Sequence, residues 1–279
     1  MQECKNCSEH NKYEKAVPLV SESSSVCENS GNINTQSGDI KAIKDYNQTL
    51  ALNPNLAESY YNQGNTCAQS GDMKGAMEYY NQALIINSNF AEAYLNRGNT
   101  RSELGDIQGA MEDYHQALII NPNLAEVYIG RGSIRSELGD VKGAMKDYNQ
   151  ALTINPNFGE TYSNRGLLRA QLKDIKGAIK DYSQALIINP NLAETYSNRG
   201  LLRAQLRDMK RAMEDYNQAL IINPNLAEAY ANRGLIFAQL ENFKRAITDL
   251  QKASELFQKQ GKITEYQNVV ELLMKINNR

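Results

Sequence analysis

The chain has 279 residues, 41% apolar and 22% charged, which is enough for one or two ordinary soluble domains. Thirty basic against 32 acidic side chains, spread evenly, argue against nucleic-acid binding by bulk charge and give no field to draw an anionic membrane. No apolar run could span a bilayer and no apolar leader opens the chain, so its four cysteines read as reduced thiols of a cytoplasmic protein.

Residues 1–23 are mixed in charge and rich in Ser and Glu, and are expected to form a flexible tail. Within it, Cys4-Lys-Asn-Cys7 and His10, together with Cys27 beyond it, could supply four zinc ligands. A single CxxC without a second close pair is a weak signal, so the expectation is no metal and no cofactor. Residues 24–56 look like an eroded copy of the units that follow. Cys27-Glu-Asn-Ser-Gly31 parallels Tyr60-Tyr-Asn-Gln-Gly64, and Ser37-Gly-Asp39 parallels Ser70-Gly-Asp72.

From Ala57 the chain falls into six rows of 34 residues, ending at 260. Column 4 is Tyr in every row (Tyr60 to Tyr230), column 8 is Gly (Gly64 to Gly234), and columns 20 and 27 are Ala. Column 24 is Tyr five times and then Leu250. Each row reads as two helices. Asn121-Pro122-Asn123 ends one, because proline cannot continue the ladder, and Asn123 with Glu126 offers a capping pair for the next. Gly105-Asp106 stops that helix and caps its successor. Small residues at columns 8, 20 and 27 let antiparallel helices approach closely, with the tyrosines filling the space beside them. Residues 261–279 read as a capping helix, with an apolar stripe running from Ile263 to Ile276.

This pattern (aromatic 4, Gly 8, Ala 20, aromatic 24, Ala 27, Pro 32) resembles the tetratricopeptide repeat over residues 57–260. The resemblance implies an all-α, right-handed superhelical solenoid of helix-turn-helix units whose inner groove binds peptides or proteins. Three departures stand out. Column 7, usually Leu, is Arg in the last five rows. Column 15, usually Gly, becomes Lys173, Arg207 and Glu241, so those turns are expected to be less comfortable, and Ser88 replaces the column-32 proline, so that junction is expected to be looser.

Column 6 is the best candidate for a binding device: Asn62, Asn96, Asn164, Asn198 and Asn232, interrupted by Gly130. An asparagine amide offers both donor and acceptor, so a row of them could grip the backbone of an extended chain whatever its side chains. Column 9 shifts from polar (Asn65, Asn99, Ser133) to apolar (Leu167, Leu201, Leu235), while column 5 shifts from bulky (Tyr61, Leu95, Ile129) to small (Ser163, Ser197, Ala231). Both are expected to line the groove. Column 2 is Glu throughout, which argues against the family's basic clamp for a C-terminal carboxylate. Every row with Arg at column 7 has Asp at column 23, which points to an ion pair within the repeat rather than an anion stripe. Cys67 is expected to be packed and His115 solvated.

No phosphate loop, dinucleotide fingerprint or nucleophile elbow is present in the sequence. The reading is therefore a non-enzymatic scaffold or adaptor for a protein or peptide partner. The alternatives are a regulatory or targeting module for an enzyme of glycosyltransferase type, an assembly factor for a multi-subunit complex, or a self-associating structural protein.

Overall fold

The computed structural model describes residues 55–277, among which there are thirteen helices and no strand. They run as six antiparallel pairs and a final helix. The pairs are α1 (Leu56–Gln69) with α2 (Met73–Ile86), α3 (Ala91–Glu103) with α4 (Ile107–Ile120), and α5 (Ala125–Glu137) with α6 (Val141–Ile154). They continue as α7 (Gly159–Gln171) with α8 (Ile175–Ile188), α9 (Ala193–Gln205) with α10 (Met209–Ile222), and α11 (Ala227–Gln239) with α12 (Phe243–Lys259). The last helix is α13 (Ile263–Asn277).

The second helix of each pair starts where the sequence indicates. Asp72, Asp106, Asp140, Asp174 and Asp208 each accept a hydrogen bond from the backbone N–H three residues on, and Asn242 does the same for α12. The first helices differ from expectation. Asn55 stands at the N-cap of α1 without a side-chain bond, and the N-caps of the other five are Phe90, Leu124, Phe158, Leu192 and Leu226, which supply no capping bond. The asparagine before the proline does the local work instead: Asn121 Oδ1 accepts from the Asn123 N–H at 3.0 Å. The same bond closes the Ser88 turn, from Asn89 N–H to Asn87 Oδ1 at 3.0 Å. Between paired helices, Gly71, Gly105 and Gly139 take φ of 79–84°, whereas Lys173, Arg207 and Glu241 are held at φ 56–63°. That region disfavours any residue with a Cβ, so the last three turns carry strain.

Close approach explains the column-8 glycines. A Cβ on Gly98 would come within 2.8 Å of the Tyr114 ring. The column-20 and column-27 alanines are fully buried, and the column-24 tyrosines are at most 2% exposed. At the far end, Val269 and Ile276 of α13 join Leu250, Leu256 and Phe257 in one apolar cluster, covering a face that would otherwise meet water.

Four of the five successive pairs of first helices (α1 with α3, α3 with α5, α5 with α7, α9 with α11) pack against one another more closely than any successive second helices do, and α7 meets α9 through Ser163 and Thr195. The first helices therefore form the inner side of the stack. Their outward-looking residues share one continuous face, and that face positions the candidate site.

Candidate functional site

Columns 2, 6 and 9 stand at i, i+4 and i+7 of each first helix, so they share one helical face. Glu58, Glu92, Glu126, Glu160 and Glu194 are exposed along it. Leu167, Leu201 and Leu235 are 44%, 39% and 40% exposed and recur at one register along it. Between the two rows lie the asparagines: Asn62 and Asn164 are exposed, and Asn96, Asn198 and Asn232 are half-buried. Among the described residues, the amides of Asn164, Asn198 and Asn232 make no side-chain hydrogen bond.

The N-terminal half behaves differently. Asn96 Nδ2 donates to Tyr61 OH at 3.0 Å and to Asn65 Oδ1 at 2.8 Å. Asn65 Oδ1 also accepts from Tyr80 OH at 2.8 Å, and Asn99 Oδ1 accepts from Tyr114 OH at 2.7 Å. Tyr148 OH lies 3.3 Å from Ser133 Oγ. Column 9 is thus the partner of the buried column-24 hydroxyl in the first three pairs. Where column 9 turns to leucine that acceptor is gone, and Tyr216 OH is buried with no partner among the described residues. Burial pushes the phenols of Tyr80, Tyr114 and Tyr182 up to about 12. At the gap in the asparagine row Tyr114 fills the space a side chain would take, its hydroxyl 2.7 Å from where a Cβ on Gly130 would stand.

Column 5 does not line the groove evenly. Leu95 and Ser197 are buried, and Ser163 Oγ meets Thr195 Oγ1 of the next first helix at 2.7 Å. These side chains glue one repeat to the next.

The column-7 arginines pair with the column-23 aspartates. Arg165 holds both oxygens of Asp181, at 2.8 and 2.7 Å, and the same fork recurs at Arg97–Asp113, Arg131–Asp147, Arg199–Asp215 and Arg233–Asp249. The column-11 arginines reach the same carboxylates, as Arg135 does on Asp147 at 2.7 Å. Each column-7 guanidinium also lies over the column-4 tyrosine of its own helix, 5.2–5.5 Å from the ring centroid. Four of these arginines also clasp the preceding repeat, through Asn81, Asn149, Ser183 and Asn217, a bond that no sequence column announces. His115 stands at that position opposite Arg131, and no such bond forms there among the described residues. Every column-7 arginine is thus committed to an aspartate of its own repeat, as the joint columns indicate.

Cys67 is buried and His115 exposed, as expected. Cys4, Cys7, His10 and Cys27 lie outside the described residues; among the described ones no cluster of three His, Cys, Asp or Glu could hold a metal. No described helix is long and apolar enough to cross a membrane. A row the sequence did not flag is Ile85, Ile119, Ile187 and Ile221 on the second helices, 62–75% exposed.

Tetratricopeptide-repeat family models match residues 64–105, 91–124, 132–173, 166–206 and 207–264. No curated protein matches the chain by sequence. Among solved structures, pilF of Pseudomonas aeruginosa is 20% identical with a TM-score of 0.70, covering 77% of this chain and 96% of its own. YrrB, a TPR protein with an unusual peptide-binding site, is 23% identical with a TM-score of 0.59, covering 70% of this chain and 100% of its own. MamA is 24% identical with a TM-score of 0.53, covering 59% and 96%. At these identities the likeness carries the fold alone.

Proposed function

This chain belongs to the tetratricopeptide repeat family and is a protein-interaction scaffold, and on that premise we propose that it grips an extended segment of a protein partner across its first helices. The observation that carries the reading is the row Asn164, Asn198 and Asn232. Three amides stand at one helical register with no hydrogen bond spent among the described residues. Asparagine is a mediocre helix former, so its recurrence needs a reason outside the helix. An amide that is both donor and acceptor suits the N–H and C=O of an extended backbone, whatever the ligand's side chains. Asn96 is already held by Tyr61 and Asn65, which directs the grip toward the C-terminal half. Leu167, Leu201 and Leu235 then give that half an apolar preference. On this reading the protein is a non-enzymatic adaptor of the cytoplasm, with a protein rather than a nucleic acid as partner.

The test is Asn164→Ala, Asn198→Ala and Asn232→Ala, singly and combined, titrated against a partner segment recovered by affinity capture. A typical hydrogen bond contributes about 0.5–1.5 kcal/mol net, so each single change is expected to weaken binding about two- to tenfold, and the combination to compound. Circular dichroism checks that the variants are folded. Unchanged affinity in a folded triple variant would move the binding surface to the outer helices or the ends of the array.

A further inference from the structure

The groove face has a second chemical instruction, and it specifies the ligand more narrowly than backbone capture does. Along a helix rising about 1.5 Å per residue, column 2 lies about 6 Å to one side of the asparagine row and column 9 about 4.5 Å to the other. A backbone laid over the asparagines therefore has carboxylates on one flank and leucines on the other. Glu160 and Glu194 are exposed and make no ion pair among the described residues. What such a position takes is already visible within the chain. Lys262, the column-2 residue of the turn that follows the last pair, reaches Glu228 with its ammonium at 2.5 Å.

The spacing selects a backbone conformation as well. Neighbouring first helices touch directly, as Ser163 and Thr195 do at 2.7 Å, and packed helices stand about 8–10 Å apart. A polyproline II segment turns once in three residues and advances about 3.1 Å per residue, so one turn covers about 9 Å, one repeat. Side chains at i and i+3 then point the same way and arrive once per helix. A β-strand, at about 3.3 Å per residue with faces alternating, returns to one face after about 6.6 or 13 Å and falls out of step.

We infer that the C-terminal half of the groove is built for a polyproline II segment with a basic side chain at every third position, set on Glu160 and Glu194, and an apolar one between, set on Leu167 and Leu201. The inference rests on the proposed groove reading and adds the ligand's charge and register to it. Lys262 neutralises Glu228, so the basic run ends at Glu194. Exposed ion pairs are individually weak and are screened by salt, so the rim sets preference among ligands rather than holding them alone.

A dye-labelled peptide of repeated Lys-Pro-Leu, beside its Glu-Pro-Leu counterpart, tests this by fluorescence anisotropy with the full chain. The wild type is expected to prefer the lysine peptide at low ionic strength, with the preference shrinking as salt rises. Glu160→Gln with Glu194→Gln is expected to weaken the lysine peptide about fivefold and leave the glutamate peptide no weaker. Both positions are exposed, so circular dichroism should be unchanged. Equal affinity of wild type and the double variant for the lysine peptide, or no binding of that peptide by the wild type, would overturn the inference. The asparagine triple variant separates the two readings: if it alone weakens the lysine peptide, the groove stands and the rim falls; if neither does, both fall.

Discussion

One hydroxyl distinguishes the two halves of the array. Tyr114 OH donates to Asn99 Oδ1 at 2.7 Å, whereas Tyr216 OH, at the equivalent place over Leu201, is buried without a partner among the described residues. Leu201 thus costs stability by stranding the buried phenol of Tyr216, and it stands 39% exposed on the groove face. A folded chain gains nothing from a stranded phenol, and local rules tend to be broken where function asks for it. The two tyrosines should respond oppositely to loss of the hydroxyl. Tyr114→Phe is expected to cost about 0.5–1 kcal/mol, because Asn99 loses its donor, while Tyr216→Phe is neutral or stabilising. Urea denaturation of both variants checks this. An equal loss at the two sites would mean that Tyr216 has a bonded partner after all.

Between elements, the arginine fork ties the solenoid together. Asp181 is 2% exposed and receives Arg165 and Arg169, while Arg165 also donates to Asn149 of the preceding repeat at 2.8 Å. Removing the carboxylate leaves two guanidiniums facing each other around an empty space. Asp181→Ala is therefore expected to cost about 3 kcal/mol, against about 1 kcal/mol for the exposed helix cap Asp174→Ala. Denaturant midpoints of the two variants give the comparison, and a smaller loss at Asp181 would make the fork ornamental.

Much at this scale was legible in the sequence. The aspartate caps follow from Gly-Asp at a fixed column, and the fork from the joint presence of Arg at column 7 and Asp at column 23. The clasp to the preceding repeat was not legible, because its acceptor column holds Asn, His and Ser, with no constant chemistry to notice. The tyrosine–asparagine bonds were hidden for the opposite reason: the tyrosine persists even where its partner has become leucine, so the two columns do not vary together. The turn before each first helix is ambiguous in sequence, because Asn121 and Asn123 offer the same side chain two residues apart and only backbone geometry chooses between them. Column 5 looked like groove because it borders column 6, yet the approach of the next helix covers Leu95 and Ser197.

For the array as a whole, stability is the sum of pair and interface contributions, and these are uneven along residues 55–277. The α1–α2 pair has Gln63 and Tyr79 where the others have Arg and Asp, so it lacks the fork. The α7–α10 region has two complete forks and both inter-repeat clasps. Native-state hydrogen exchange should find α1 and α2 least protected among the six pairs and α7 to α10 most protected. Uniform protection would mean that the array opens as one cooperative unit and that the fork contributes little.

The central claim is that the first-helix face, through its asparagine row, is the surface a partner segment covers. The side-chain amides of Asn164, Asn198 and Asn232 report on it directly by NMR during titration with a captured partner segment. Asn149 and Asn217, which accept from Arg165 and Arg233 at 2.8 Å, serve as internal controls on the second helices. The expected result is that the three groove amides shift and saturate together while the two controls stay in place. Shifts confined to Asn149, Asn217 and their neighbours, with the groove amides unmoved, would contradict the account.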